Sequence, residues 1–210
     1  MRPSQFPYLA VDGWPFIGVV VTLGIFALSF ESAYQWHFFA VTAVVLALLV
    51  LVFRDPERDI PSLPLAIVAP VDGTVTDISP TDRAHLDGEA IRVEIKLNRL
   101  GAYAARSPTE GKVVSLNAQL SPGSRLHGEG GLWVRTHEDD DVVLMFRGPK
   151  FARPVAFIRY GERIGQGQRC AFTRLATHAE VYLPLNSRIE IAAGDRVKAG
   201  SDIIATLVHK

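Results

Sequence analysis

The chain has 210 residues, 22 of them basic and 22 acidic, so its formal net charge is zero and it offers no bulk basic field to a nucleic acid. Its single cysteine, Cys170, excludes an internal disulfide and fits a reducing compartment. Hydrophobic residues make up 48% of the chain, and the excess lies before Arg54.

Two uncharged windows come first, one of 18 residues between Asp12 and Glu31 and one of 22 residues from Ser32 to Phe53. At ~1.5 Å per helical residue they nearly or fully cross a hydrocarbon core of roughly 30 Å. The second is almost unbroken Ala, Val and Leu from Phe38 onward, while the first is shorter and holds Gly18 and Gly24. Trp14, Tyr34 and Trp36 sit near the window ends, where amphipathic rings meet lipid headgroups. A secretory signal peptide is the competing reading of the first window. It is the weaker one, because only Arg2 supplies a basic leader and a second window follows at once. Arg2 before the pair, Arg54 and Arg58 after it and Glu31 in the turn place both ends in the cytoplasm. The expected organisation is a transmembrane helical hairpin over 1–53, in the inner membrane, and a β domain over 54–210 facing the cytoplasm.

From Asp55 the pattern changes to short β-branched runs punctuated by Gly, Pro and Asp. Strands are predicted at Leu65–Val68, Gly73–Ile78, Ala90–Ile95, Lys112–Leu116, Val142–Phe146, Val155–Tyr160, Ala179–Leu183 and Ile203–Val208. A short helix is predicted around Lys96–Ala105, and a loop from Ser121 to Gly131. The fold class is therefore mainly β, a β-rich sandwich. Ala69-Pro70-Val71-Asp72-Gly73 and Gly194-Asp195-Arg196-Val197-Lys198-Ala199-Gly200 resemble the two halves of a biotinyl/lipoyl-type domain. A carrier lysine needs a strand after it, whereas Lys210 is the last residue given.

Several chemistry-bearing residues read as structural. Cys170 beside Ala171 and Phe172 is a small buried hydrophobe. His127, Glu129 and His137 lack a metal-ligand spacing and read as solvated surface. Gly123-Ser124 and Gly200-Ser201 read as turns.

The run Phe53-Arg54-Asp55-Pro56-Glu57-Arg58, then Ala69-Pro70-Val71-Asp72-Gly73-Thr74-Val75, then Arg106-Ser107-Pro108 with Gly111, and finally Val181-Tyr182-Leu183-Pro184 resembles the short bacterial and archaeal form of phosphatidylserine decarboxylase. The resemblance covers about residues 45 to 208. It implies a carboxy-lyase of phospholipid synthesis that turns phosphatidylserine into phosphatidylethanolamine. The family's electron sink is a pyruvoyl group, made when a Gly-Ser pair ahead of the Tyr-Leu-Pro strand cleaves itself. The sink forms a Schiff base with the substrate amine. Asp72 matches an aspartate that activates the self-cleaving residue, and Arg106 falls where it could meet a lipid phosphate.

Four positions depart from that pattern, among them Ala105, which stands where the family has an asparagine. Ala176-Thr177 replaces Gly-Ser, and Tyr103 stands where the family has a histidine. Glycine gives the backbone freedom that alanine lacks, and a β-branched threonine is stiff at χ1. A Thr177 hydroxyl can still attack the preceding carbonyl, but the product would be a 2-oxobutyryl group. The change puts a phenol, a class of group whose ordinary pKa is about 10, in place of an imidazole that moves protons near neutral pH. His178 follows Thr177, and strand alternation predicts that the two side chains point to opposite faces. The expectation is a phosphatidylserine decarboxylase-family membrane protein with weak or absent native activity. The alternative is a non-catalytic relative that binds phospholipid or regulates a partner. Membrane phospholipid is the expected partner, and a homo-oligomer is compatible with the sequence.

Overall fold

The computed structural model describes residues 9, 13–27, 35–81, 89–99, 101–116, 130–149, 154–173 and 175–208. The chain separates into two compact units, Met1–Glu57 and Arg58–Lys210.

The first unit holds two apolar helices, α1 (Trp14–Ala27) and α2 (Gln35–Phe53). With 19 residues and a mean hydropathy of 2.5, α2 is long and apolar enough to cross a membrane. The 14 residues of α1 rise only about 21 Å, short of a hydrocarbon core. The two helices approach closely at Gly24, where a Cβ would meet the Thr42 methyl at 2.9 Å. Phe16 stacks on Phe53 with ring centroids 5.7 Å apart. Arg2, the Glu31 turn and Tyr34 lie outside the described residues.

The second unit is β throughout its described elements. Its strands are β1 (Ala66–Val68), β2 (Gly73–Thr81), β3 (Ala90–Leu97), β4 (Ala104–Arg106), β5 (Gly111–Ser115), β6 (Gly130–Arg135) and β7 (Asp141–Arg147). They continue with β8 (Val155–Ala156), β9 (Arg163–Ile164), β10 (Arg169–Phe172), β11 (His178–Pro184), β12 (Arg188–Ile189), β13 (Arg196–Val197) and β14 (Ile203–Thr206). Eight form one antiparallel sheet in the order β13-β2-β3-β11-β7-β6-β5-β9, and two smaller sheets run β1-β14-β12 and β4-β10-β8.

Alternation in the large sheet gives it one apolar face. Val75, Val93, Ile95, Val134, Leu144, Phe146, Val181 and Leu183 are all buried in one core with Ile67 and Ile204 of the β1 sheet and Ala105 and Ala171 of the β4 sheet. Three sheets thus share a single apolar interior. The opposite face of the large sheet is charged, except for a small cluster of Val143, Met145 and Tyr182 backed by Trp133.

The two stretches that echo a carrier domain meet in space. β13 pairs with β2, Gly200 N donates to Ala69 O at 2.8 Å, and Ala69 N donates to Asp202 O at 2.8 Å. Lys210 lies outside the described residues.

The helix expected around Lys96–Ala105 is absent. Lys96 and Leu97 complete β3, a turn closes where Gly101 N donates to Asn98 O at 2.9 Å, and β4 follows. Ala102 N is drawn to the Asp72 carboxylate at 3.2 Å instead of into a helical bond. The loop expected to run to Gly131 gives way to β6 at Gly130, because Leu132 and Val134 face the core. Residues 117–129 lie outside the described residues. The strand expected over Val155–Tyr160 is confined to Val155–Ala156.

Candidate functional site

A tight turn delivers the chain into β11. Tyr103 O accepts from Thr173 twice, from its amide at 2.8 Å and from its hydroxyl at 3.0 Å. Thr173 O then accepts from Ala176 N at 3.0 Å, with Leu175 held at φ +63° in the left-handed region that favours glycine. Ala176 itself is not among the left-handed residues, so the freedom expected of a glycine is used one position earlier. Ala176 is buried and Thr177 is exposed.

Thr177 is stitched to both neighbouring strands. Its amide donates to Arg147 O at 2.8 Å, and its carbonyl accepts from Leu97 N at 2.9 Å. Its hydroxyl lies 3.0 Å from His178 Nδ1 and 3.3 Å from Arg147 O. Sequence alternation separates Thr177 from His178, but Thr177 precedes the first paired residue of β11 and escapes the pleat.

Asp72 reaches the same end of the sheet on the other side of β3. Asn98 N donates to Asp72 O at 2.9 Å, next to Leu97, which donates to Thr177 O. Two strand spacings, roughly 10 Å, therefore separate the two backbones. The Asp72 carboxylate is spent on structure. Its Oδ1 accepts from Ala199 N at 2.8 Å, and its Oδ2 accepts from Ala102 N at 3.2 Å and from the Arg58 guanidinium at 2.6 Å. The sequence marks Arg58 only as a flanking charge and a motif residue, and nothing in the spacing of 58 and 72 announces their ion pair.

The Tyr103 ring lies 6.2 Å from that of Phe172, and its hydroxyl donates to Arg99 O at 2.9 Å. Its backbone holds the turn before Thr177 while its phenol bonds to the main chain. Arg106 is 7% exposed, donates to Gly167 O at 3.0 Å, and presents its Cδ 2.6 Å from where a Cβ on Gly200 would sit. It occupies the interior between β4 and the turns at Gly167 and Gly200.

Two open grooves occur elsewhere among the described residues. One, of about 450 Å³, is bordered by Lys112, Arg135, His137, Tyr160 and Arg163; the other, of about 500 Å³, runs along residues 60–66 beside Thr109 and Gln166. None of Asp72, Tyr103, Arg106, Ala176 and Thr177 lines either groove. Ser201 N donates to Lys198 O at 3.2 Å, so Gly200-Ser201 is a turn. Gly123-Ser124, His127 and Glu129 lie outside the described residues.

An apolar helical N-terminus precedes a β unit whose Asp72 and Ala176–Thr177 segments lie at one sheet end, on either side of β3. The chain belongs to the phosphatidylserine decarboxylase family. It is 32% identical to the phosphatidylserine decarboxylase proenzyme of Nitrosomonas eutropha over 217 residues, covering 98% of this chain and 99% of that one. It is also 32% identical to the proenzyme of the same name from Burkholderia ambifaria over 212 residues, covering 96% and 97%. No protein-family model matches the chain. A solved structure of glucose permease IIA from Mycoplasma capricolum overlaps 67% of this chain and 94% of that one, at 18% identity and a TM-score of 0.45, too slight a likeness to define the fold.

Family membership supports a place in phospholipid metabolism and points to a pyruvoyl-type group. The residues here do not fit a pyruvoyl group. That group derives from serine, and Thr177 carries a β-methyl that would remain in any product. The Asp72 carboxylate accepts from Arg58 and two amides, and the Tyr103 hydroxyl donates to a carbonyl, so neither is directed at Thr177.

Proposed function

We propose that this chain is a membrane-anchored member of the phosphatidylserine decarboxylase family that contacts phospholipid at the cytoplasmic leaflet and has weak or absent native decarboxylase activity. The anchor is the pair α1 and α2, set in the inner membrane, with the β unit on the cytoplasmic side. The length and hydropathy of α2 and the flanking Arg54 and Arg58 support that placement.

One observation carries the reading of weak activity. The Asp72 carboxylate, at the position of the family's activating base, has both oxygens bonded to Arg58, Ala102 and Ala199 and none to Thr177. The carboxylate is thus directed at Arg58 and two main-chain amides and makes no contact with the Thr177 hydroxyl it would have to activate. General acid–base assistance is typically worth about 10²–10⁴-fold, and without a keto sink the covalent route is lost altogether.

Carbon dioxide release from labelled phosphatidylserine by the detergent-solubilised full chain tests this, with Thr177→Ala as control. The expected rate matches the control. Turnover of about one per second that disappears in Thr177→Ala would overturn the reading, since such a rate is ordinary for an enzyme.

A further inference from the structure

The charged face of the large sheet carries three cations, Arg196, Lys96 and Arg147, on one row of paired positions, with Thr74 and His178 between them. Arg196 of β13 pairs with Thr74 of β2, Thr74 with Lys96 of β3, Lys96 with His178 of β11, and His178 with Arg147 of β7. Directly opposed residues on antiparallel strands share a face. The five positions therefore form one line across five adjacent strands, about 19 Å from end to end at the ordinary strand spacing. Their immediate neighbours Val197, Val75, Ile95, Ala179 and Phe146 are buried, which fixes the row on the opposite, outer side.

Lys96, Arg147 and Arg196 are exposed, and His178 is half-buried. Arg147 has a partner, the buried Glu180, at 3.0 Å. Lys96 and Arg196 have no ion pair among the described residues. No two fixed cations of the row are directly opposed, and the next rung of the same face is acidic, with Asp77, Glu94 and Glu180 in line, so Lys96 and Arg196 form a basic margin that an anionic surface complements. Beside it, three residues before His178, stands Leu175, 59% exposed at the tip of its turn. Three cations spread over about 19 Å are too far apart for one phosphate, and an apolar tip next to them suits an interface with acyl chains beneath the charge.

We propose that the row Arg196–Thr74–Lys96–His178–Arg147, with Leu175 at its margin, docks the β unit on the headgroups of an anionic bilayer. The proposal deepens the phospholipid contact above but does not depend on the anchor or on decarboxylation. The row sits next to Ala176–Thr177, so docking there brings the family's chemical position to the lipid surface.

The test uses the full chain carrying Leu175→Cys, with Cys170→Ala, labelled with an environment-sensitive fluorophore. It is mixed with vesicles of phosphatidylcholine or of phosphatidylcholine with phosphatidylglycerol, and acrylamide quenching reports how far the label is shielded. Shielding is expected on the anionic vesicles at low salt, with loss at high salt and none on the neutral ones. Juxtamembrane cations are worth about fivefold each near an anionic surface, so Lys96→Gln with Arg196→Gln should lower the docked-to-undocked ratio roughly 25-fold. Lys112→Gln, at the far end of the same face, should leave it unchanged.

Equal shielding on both compositions, or shielding unaltered by the paired substitution, overturns the row and leaves the anchor standing. Flotation with anionic vesicles alone keeps the row and overturns the anchor, and flotation with neither overturns both. Release by inorganic phosphate at constant ionic strength would assign the row to a free phosphate and overturn docking on a bilayer.

Discussion

Thr177 Oγ1 and His178 Nδ1 lie 3.0 Å apart where the chain enters β11. The hydroxyl also leans on Arg147 O at 3.3 Å, whose other donor is the Thr177 amide. This is a local clamp on an exposed turn rather than a base directed from a second strand. His178→Ala should cost about 0.5–1 kcal/mol in urea unfolding of the detergent-solubilised chain, the net worth of one exposed hydrogen bond. A loss above about 3 kcal/mol would show that the imidazole carries more than this clamp.

Asp72 should behave as a structural residue. Asp72→Ala leaves Arg58 without its carboxylate and two main-chain amides without an acceptor, in a part-buried setting. Removing one partner of such a pair typically costs about 3–5 kcal/mol, and partial exposure places this one near the lower end. Urea midpoints of Asp72→Ala and Arg58→Ala measure it. A loss under about 0.5 kcal/mol for both would contradict the assignment.

Alkaline pH should weaken the fold through Cys170. Burial pushes its thiol up to about 12, whereas an unfolded thiol titrates near 8.5. The unfolded state therefore loses its proton first. The contribution is intact below about pH 8.5 and is lost as pH rises toward the folded value, at about 1.4 kcal/mol per pH unit. Burial and the bond to Glu180 raise Tyr182 in the same direction, adding to the loss above about pH 10. Between about pH 8 and 10 the wild-type chain should lose roughly 2 kcal/mol more than Cys170→Ala. Parallel curves for the two would contradict this.

Leu175 occupies a left-handed conformation at φ +63°. An L-residue pays about 1–2 kcal/mol there, and glycine gives back about 0.5–1 kcal/mol through the freedom of its unfolded chain. Leu175→Gly should therefore raise stability by about 0.5 kcal/mol, and Leu175→Val, β-branched at the same φ, should lower it by about 1 kcal/mol. The reverse order would contradict the turn geometry.

The orientation of the anchor is open to labelling. A thiol-reactive, membrane-impermeant reagent applied to intact cells should reach Glu31→Cys, with Cys170 removed, and should not reach a cysteine placed near Arg58. Labelling near Arg58 without labelling at position 31 would reverse the orientation.

Much of the β unit is legible because side-chain alternation writes one apolar face. Val93 and Ile95 of β3 and Val181 and Leu183 of β11 alternate with Arg92, Glu94, Glu180 and Tyr182, and both strands run where the pattern places them. β4 escapes, since Ala104-Ala105-Arg106 carries no alternation and its pairing to β10 comes from residues more than sixty positions away. β6 is obscured by the two glycines that open it.

The site is legible in outline. Asp72 and Thr177 can be picked out by position, and β3 brings them to one end of the sheet. Arg58 against Asp72, the Thr177–His178 contact and the cationic row depend on register and on side-chain direction, neither of which a linear spacing contains.

The mass of the purified, full-length chain under denaturing conditions is the most direct test of the central claim. An uncleaved chain of 23.0 kDa is predicted, because Ala176-Thr177 stands where the family resemblance places the self-cleaving pair and Asp72 is bonded to Arg58, Ala102 and Ala199. Nearly complete conversion to pieces of 176 and 34 residues, with the break before Thr177, would contradict it and restore the enzyme.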